Sequence, residues 1–170
     1  QFGGKSYYSC LVAKDELGKF FLEDIRRNGV DTNLIFENCP PGHSGRCLVM
    51  TTPDAHRTMN TFLGVSSFLS PDQLDEEAIK SSSYIYLEGY LVASPKGLDA
   101  LKAAKKIAER NKIDVALTFS DTSMVKYFDA QMKEIVGASV DLLFCNEEEA
   151  MTYTGTNSIS DAREKLREVA

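Results

Sequence analysis

The chain has 170 residues, of which 43% are hydrophobic and 26% are charged, and it can therefore form a globular domain with a real core. Its formal net charge of −6 creates no positive field for nucleic acid or for an anionic membrane surface, so we expect neither as a partner. No apolar run is long enough to span a bilayer, and residues 1–5 lack the hydrophobic region of a signal peptide.

The four cysteines favour a reducing compartment. No two of them are spaced as Cys-x-x-Cys, and the chain has only two histidines, which argues against a zinc site. Cys10 and Cys145 lie in apolar runs, where a free thiol behaves as a small hydrophobe. The simplest interpretation is a cytoplasmic protein.

The ends of the chain indicate a piece of a longer protein. The sequence does not begin with Met, and it stops inside a helical pattern over residues 161–170. We therefore expect an internal fragment, with a chain that simply ends there as the alternative.

The first predicted elements are a strand and a helix. Residues 7–13 are apolar and aromatic, which predicts a buried strand. Asp15 is placed to cap a helix whose apolar residues continue at helical spacing to Ile25. Gly29 is suited to end that helix in a left-handed conformation.

Three short strands without an intervening helix come next, at residues 30–36, 46–52 and 57–63. Turn-rich segments separate them, and local antiparallel pairing is favoured over crossover connections. We interpret residues 31–64 as a small β-sheet lid that stands apart from the main sheet. A plain hairpin on one sheet edge is the alternative.

Strands and helices alternate in the rest of the chain. Strands are predicted at residues 84–87, 115–119 and 142–144. Helix starts are predicted at Ser70, Ser94 and Asn146, and a further helix carries apolar residues at 125, 128, 132 and 135.

This order predicts an α/β fold: a Rossmann-like, layered, mainly parallel sheet flanked by helices. Its body comprises residues 1–30 and 65–170, with the β-sheet lid between them. In such sheets, ligands bind beyond the carboxyl ends of the strands. The loops after Leu87, Phe119 and Phe144 are therefore the candidate site.

Asn146 and Glu149 follow a predicted buried strand and have two interpretations. The spacing fits a helix capping box, which is the commoner explanation, and acidic residues suit the first turn of a helix. The functional interpretation is that the amide and the carboxylate orient Mg²⁺ through water, since Mg²⁺ prefers oxygen ligands and retains several waters.

Arg57 and Tyr90 give weaker signals. An arginine between lid strands is usually solvated, but it could also neutralise a phosphoryl group during transfer. Tyr90, in the loop after residues 84–87, could stack on a base or a sugar, although packing is the more frequent role of a tyrosine. The sequence has no dinucleotide-binding G-x-G-x-x-G after a strand, no P-loop motif and no readable Ser-His-Asp arrangement.

Several segments together resemble the PfkB (ribokinase-like) family of carbohydrate and nucleoside kinases. Residues 12–18 and 28–32 resemble the first signature region of that family. Residues 44–47 and 53–60 resemble the lid strands of its adenosine-kinase-like branch, and residues 146–150 match its N-x-x-E motif. The order and spacing agree over essentially the whole chain.

The resemblance implies transfer of the ATP γ-phosphoryl group to a hydroxymethyl group of a sugar or a nucleoside. It implies that Asn146 and Glu149 help to place Mg²⁺ and the phosphates, with Glu149 reaching the metal through water. It also implies that Arg57 reaches toward the transferring phosphoryl group and that Tyr90 lies against the bound nucleoside. A requirement for a monovalent cation is left open.

Two features of the resembled family are expected outside this chain. One is the Gly-Ala-Gly-Asp segment with the catalytic base, and the other is an early Asp with a Gly-Gly pair for which Gly3-Gly4 is no substitute. The 170 residues alone are therefore expected to show no kinase turnover. The alternatives are a non-catalytic ligand-binding or assembly protein that retains the fold, and an unrelated α/β enzyme without a β lid.

The lid is also a candidate for homodimer formation. We expect four residues to form an apolar face that pairs with a second copy: Ile35, Cys47, Val49 and Met59. The alternative is that these side chains pack inward on the body.

Overall fold

The computed structural model describes residues 3–170, and contacts divide these into one unit that extends to Asp75 and a second from Glu76 to Ala170. The predicted lid over residues 31–64 is a different division and stays a prediction. The elements of the first unit are β1 (Ser6–Tyr7), α1 (Glu16–Arg27), β2 (Val30–Asp31), β3 (Arg46–Thr51), β4 (Arg57–Phe62) and short 3₁₀ turns at Phe36–Asn38, Gly64–Phe68 and Pro71–Gln73.

The predicted capping of α1 is confirmed. The Asp15 carboxylate accepts a hydrogen bond from the Gly18 amide at 2.8 Å, and Gly29 follows the helix with a φ of 75°. One face of α1 is buried through Leu22, which belongs to a small core with Val12 and Cys39.

The first strand is shorter than predicted. The pattern over residues 7–13 predicts a strand of seven residues, but pairing is confined to Ser6–Tyr7, which lie parallel to Val30–Asp31. Beyond this point the backbone finds other partners, since the Ala13 amide donates to Ser44 Oγ at 3.0 Å. The strand predicted at residues 30–36 is likewise reduced to β2, which pairs with β1 and not with the hairpin, because α1 provides the crossover that parallel pairing requires.

Strands β3 and β4 form the predicted antiparallel hairpin and make a two-stranded sheet of their own. Six pairs of residues face one another, from Arg46 opposite Phe62 to Thr51 opposite Arg57. In the connecting loop, the Thr52 amide donates to the His56 carbonyl at 3.0 Å, and Ala55 adopts a φ of 65°.

The second unit is built around a parallel sheet, which confirms the predicted fold class. Its order is β5-β6-β7, and the central strand is buried on both faces. The elements of this unit are α2 (Glu76–Lys80), β5 (Tyr84–Glu88), a 3₁₀ turn (Gly89–Ala93), α3 (Pro95–Asn111), β6 (Asp114–Thr118), α4 (Thr122–Tyr127), α5 (Asp129–Val136), β7 (Leu142–Phe144), α6 (Glu147–Thr154) and α7 (Ile159–Leu166).

Two helix predictions need adjustment. Ser70 and Gln73 form a capping contact, with the Ser70 amide donating to Gln73 Oε1 at 2.8 Å, but only one 3₁₀ turn follows because Leu74 is extended. The helix predicted through residues 125–135 is broken at Phe128, whose φ of −122° and ψ of 35° separate α4 from α5. The predicted starts at Ser94 and Asn146 are confirmed.

A buried lysine ties α3 to α5. Lys105 Nζ donates to the Val136 carbonyl at 2.7 Å and lies 3.4 Å from a Glu109 carboxylate oxygen. A cation at the carboxyl end of a helix is favourable, because that end carries unsatisfied carbonyl groups.

Within the described residues, no helix has the length and apolar character needed to cross a membrane.

Candidate functional site

Asn146 and Glu149 form a complete capping box directly after β7. The Glu149 amide donates to Asn146 Oδ1 at 2.8 Å, and the Asn146 amide donates to Glu149 Oε2 at 3.1 Å. A third bond joins Asn146 Nδ2 to Glu149 Oε1 at 2.8 Å. The carboxylate is buried, with 6% of the residue exposed, so the helix start holds it in one orientation.

This arrangement fits water-mediated binding of Mg²⁺ better than direct coordination. Each Glu149 oxygen accepts one hydrogen bond from Asn146 and retains a further lone pair for a water molecule. Among residues 3–170, no three His, Cys, Asp or Glu side chains lie together in a group that could hold a metal ion. Mg²⁺ is commonly bound through one or two carboxylates and its own waters, so the capping and functional interpretations are compatible.

Cys145 lies between β7 and the capping box. Desolvation raises the pKa of its thiol above the ordinary value, and the nearby Glu149 carboxylate raises that pKa further. A thiol with a raised pKa is a poor nucleophile at neutral pH, which argues against covalent catalysis by Cys145.

The carboxyl ends of β5 and β6 are linked by a contact that the sequence did not predict. Ser120 Oγ donates a hydrogen bond to Glu88 Oε1, which joins residues 32 positions apart. Asp121 then caps α4 by accepting from the Ser123 amide at 2.8 Å. The only available signal was the position of both residues after predicted strands, since nothing in the sequence pairs a particular Ser with a particular Glu.

Tyr90 lies in the 3₁₀ turn that follows β5, and 46% of this residue is exposed. It therefore belongs to the same carboxyl edge of the parallel sheet as Asn146 and Glu149, with β6 between their strands. Its role in substrate binding stays a prediction, because exposure and position alone do not identify a ligand.

Arg57 is the first residue of β4, in the first unit, and it is exposed. Within residues 3–170, no hydrogen bond or ion pair engages its side chain. The neighbouring loop contains Asp54 and His56, with His56 Nε2 3.8 Å from Asp54 Oδ2. Arg57 is thus a cation without a structural partner in the described chain, and its predicted role remains untested.

The second unit has the organisation of layered α/β proteins that bind ligands at the carboxyl edge of a parallel sheet. The sequence matches the family model described as pfkB family carbohydrate kinase over residues 1–170. The chain belongs to this family, as its motifs indicated.

Solved structures share the fold of this chain. An adenosine kinase from Sinorhizobium meliloti has a TM-score of 0.90 and 32% identity, with 98% of this chain and 51% of that chain covered. A probable sugar kinase from Rhizobium etli CFN 42 has a TM-score of 0.89 and 28% identity, with the same coverage. An Escherichia coli protein in complex with ATP and Mg²⁺ has a TM-score of 0.84 at 18% identity, with 99% and 55% covered, and at that identity the likeness concerns the fold alone.

The chain spans about half the length of these three structures, with 51%, 51% and 55% covered. It spans 48% or less of the curated relatives with which it was compared.

Proposed function

We propose that this chain is part of a kinase that transfers a phosphoryl group from ATP to a hydroxymethyl group of a sugar or a nucleoside. The family match over residues 1–170 supports the reaction class. The observation on which the proposal depends is the buried Glu149 carboxylate, held by Asn146 immediately after a parallel strand. Phosphoryl transfer needs mainly positioning and neutralisation of charge, and a fixed carboxylate is suited to positioning a hydrated cation.

The residues of this chain have separate roles in the proposal. Asn146 orients Glu149, and Glu149 accepts hydrogen bonds from the waters around Mg²⁺. Arg57 provides a positive charge for the phosphoryl group, which is a role that an always-protonated guanidinium performs well. Tyr90 packs against the acceptor. When bound, Mg-ATP supplies the phosphoryl group and offsets its negative charge.

The proposal includes two classes of acceptor, nucleosides and sugars, because the similar proteins include an adenosine kinase and a probable sugar kinase. A homodimer formed through the hairpin and activation by a monovalent cation are further parts of the proposal. The four cysteines are free thiols, which supports a cytoplasmic location. The second candidate function, a non-catalytic binding or assembly protein, is favoured if the complete protein lacks the Gly-Ala-Gly-Asp segment.

Glu149→Gln separates the metal role from the capping role. Glutamine can serve in a capping box, so the variant keeps the backbone bonds that start α6. It loses the carboxylate charge and the bond from Asn146 Nδ2, because its own NH₂ group takes the place of that acceptor. In the complete polypeptide that contains this chain, we expect the Mg²⁺ concentration for half-maximal activity to rise about tenfold, with the melting temperature within about 4 °C of wild type. Glu148→Gln is the matched control, since it removes the same charge from an exposed neighbour in the same helical turn.

The assay measures phosphorylation of adenosine and ribose by Mg-ATP, in K⁺ and in Na⁺ buffers. An unchanged Mg²⁺ dependence in an active Glu149→Gln enzyme would restrict Glu149 to helix capping. Absence of turnover with a broad set of nucleosides and sugars, together with binding of one of them, would favour the non-catalytic alternative.

A further inference from the structure

Ser120 occupies a strained turn at the carboxyl end of β6. Its φ is 69°, and the Asp121 amide donates to the Phe119 carbonyl at 2.8 Å across it. A bond that spans three residues with a positive central φ defines the rarer, strained form of the γ-turn. Non-glycine residues with positive φ are uncommon, and such strain persists where the surrounding structure imposes it, often at functional sites.

Two other non-glycine residues among 3–170 have a positive φ, and both have ordinary local explanations. Ala55 lies in the hairpin loop, and Lys112 is the carboxyl-terminal cap of α3 with a φ of 57°. Ser120 neither closes a hairpin nor ends a helix. Its conformation is therefore to be explained by what its side chain contacts.

The turn locks the ends of β5 and β6 together. Ser120 Oγ donates to Glu88, and the Ser120 amide donates to Thr118 Oγ1 at 3.1 Å. Gly89 makes this approach possible, because a Cβ at that position would lie 2.3 Å from the Thr118 carbonyl oxygen and 2.9 Å from Ser120 Oγ. A hydroxyl, a carboxylate and an obligatory glycine thus fix the start of the segment that follows β5.

That segment is the 3₁₀ turn Gly89–Ala93, which carries Tyr90 and packs against α3, α4 and α5. One end of the turn is held by the Glu88–Ser120 bond, and the other passes into the cap of α3 at Ser94. The direction of Tyr90 at the sheet edge consequently depends on where Ser120 holds the end of β5.

We propose that Ser120 is a positioning residue of the acceptor site. Through Glu88 it fixes the turn Gly89–Ala93, and so it sets the placement of Tyr90 against the sugar or nucleoside. This inference rests on the proposed kinase function for its kinetic consequences. The Glu88–Ser120 hydrogen bond, which we call the clamp, is a property of the fold and can be tested without turnover.

Two substitutions separate the hydroxyl from the backbone strain. Ser120→Ala removes the hydrogen bond and keeps a side chain at positive φ, whereas Ser120→Gly removes the hydrogen bond and relieves the strain. The matched control is Lys112→Gly, which relieves strain at a similar φ in the helix cap, away from the turn.

Both Ser120 variants are expected to raise the KM for the acceptor about tenfold while the KM for ATP stays near wild type, since displacement of a positioning group weakens productive binding. Ser120→Ala lowers the melting temperature, Ser120→Gly leaves it close to wild type, and Lys112→Gly changes neither KM. Combined with Tyr90→Ala, Ser120→Gly should have little additional effect on kcat/KM, because both changes act on one contact. A purely structural role predicts KM changes only in the destabilised Ser120→Ala protein.

Amide hydrogen exchange tests the clamp independently of catalysis. In Ser120→Gly, amides of residues 89–93 should exchange faster, while those of β5 keep wild-type rates. Faster exchange in a protein that phosphorylates none of a broad set of nucleosides and sugars would support the clamp and count against the proposed function. Unchanged exchange, or an unchanged acceptor KM in an active enzyme, would overturn the inference.

Discussion

Asp15 connects two segments of the first unit that are 29 residues apart. One carboxylate oxygen accepts from the Gly18 amide and from Ser44 Oγ, at 2.8 and 2.6 Å, and the other accepts from the Ser44 amide at 2.8 Å. These bonds to Ser44, the side-chain bond first, hold the pKa of Asp15 below its ordinary value. The residue therefore caps α1 and anchors the segment that leads into the hairpin.

Asp15→Asn should destabilise the chain by about 1–2 kcal/mol at neutral pH, because one amide NH₂ group would replace an acceptor that faces a donor. Since the folded pKa of Asp15 is lowered, its contribution is fully present above the ordinary aspartate pKa of about 3.9 and is lost as the pH falls through the folded value. The difference between wild type and Asp15→Asn should thus shrink on acidification.

Urea denaturation between pH 7 and pH 2.5 measures this difference. Glu16→Gln serves as the control, since Glu16 is an exposed acid in the same first helical turn. A difference that stays constant down to the lowest pH would show that the Asp15 charge does not contribute to stability.

For individual residues, the sequence predicts helix caps well and long-range contacts poorly. Asp15, Ser94 and Asn146 act as predicted, because capping depends on residues within the same helical turn. The Asp15–Ser44 and Glu88–Ser120 bonds join segments that come together only in the folded chain. A positive φ at a serine also has no sequence signature of the kind that a glycine provides.

Among the elements, the hairpin β3–β4 has a register that divides its side chains between two faces. Residues directly opposite each other share a face, as do alternate residues along each strand. One face carries Cys47, Val49, Thr51, Arg57, Met59 and Thr61, and the other carries Arg46, Leu48, Met50, Thr58, Asn60 and Phe62. All twelve residues are exposed, and a two-stranded sheet is marginally stable without further packing.

The predicted dimer residues Cys47, Val49 and Met59 therefore share a face with Arg57. If Arg57 faces a phosphoryl group, that face belongs to the active site, and a second copy has the opposite face available. The apolar residues there are Leu48, Met50 and Phe62, which are 64%, 49% and 48% exposed. Arg46 lies over the Phe62 ring, 5.5 Å from its centroid, and adds a polar margin to this face.

We accordingly expect Leu48→Glu to weaken a homodimer of the complete protein at least about tenfold, or about 1.4 kcal/mol, because it places a charge in an apolar interface. Val49→Glu is the matched control, since it introduces the same charge one residue away on the face of Arg57. Light scattering over a range of concentrations distinguishes the two variants. Dissociation by Val49→Glu alone would place the dimer interface on the face of Cys47, Val49 and Met59, as first predicted. A monomeric wild type would exclude an interface on either face.

The helices and strands follow from local sequence patterns where no tertiary contact overrides those patterns. The hairpin, the start of α3 and the three parallel strands agree with their predictions to within a residue or two. The apolar run after Tyr7 has the composition of a strand, but its contact with β2 ends at the Tyr8 amide, which donates to the Asp31 carbonyl. Further along, the amide of Ala13 donates to a loop residue. The break at Phe128 also escapes prediction, because the apolar spacing continues across it into Met132 and Ile135.

For the molecule as a whole, the important feature is a parallel sheet whose two outer strands expose apolar side chains on one face. Side chains at alternate positions of β5 and β7 point to the same side, and the rings of Tyr86 and Phe144 are 6.1 Å apart there. Tyr84, Tyr86, Leu142 and Phe144 are each between 46% and 61% exposed. Parallel sheets are usually covered on both faces, and contiguous apolar patches favour association.

A polypeptide limited to these 170 residues should consequently bind the dye ANS and self-associate. It should also transfer no phosphoryl group from Mg-ATP to adenosine or ribose, because the family's segment with the catalytic base is expected outside it. The double variant Tyr86→Lys/Phe144→Lys should reduce both dye binding and association, because it places two charges on the exposed face, while the far-UV circular dichroism stays unchanged. Tyr127→Lys is the matched control, since Tyr127 is an exposed aromatic residue on α4. Equal effects of the control and the double variant would show that the sheet face is not responsible for association. Turnover by this polypeptide would show that half the length of its relatives suffices for catalysis.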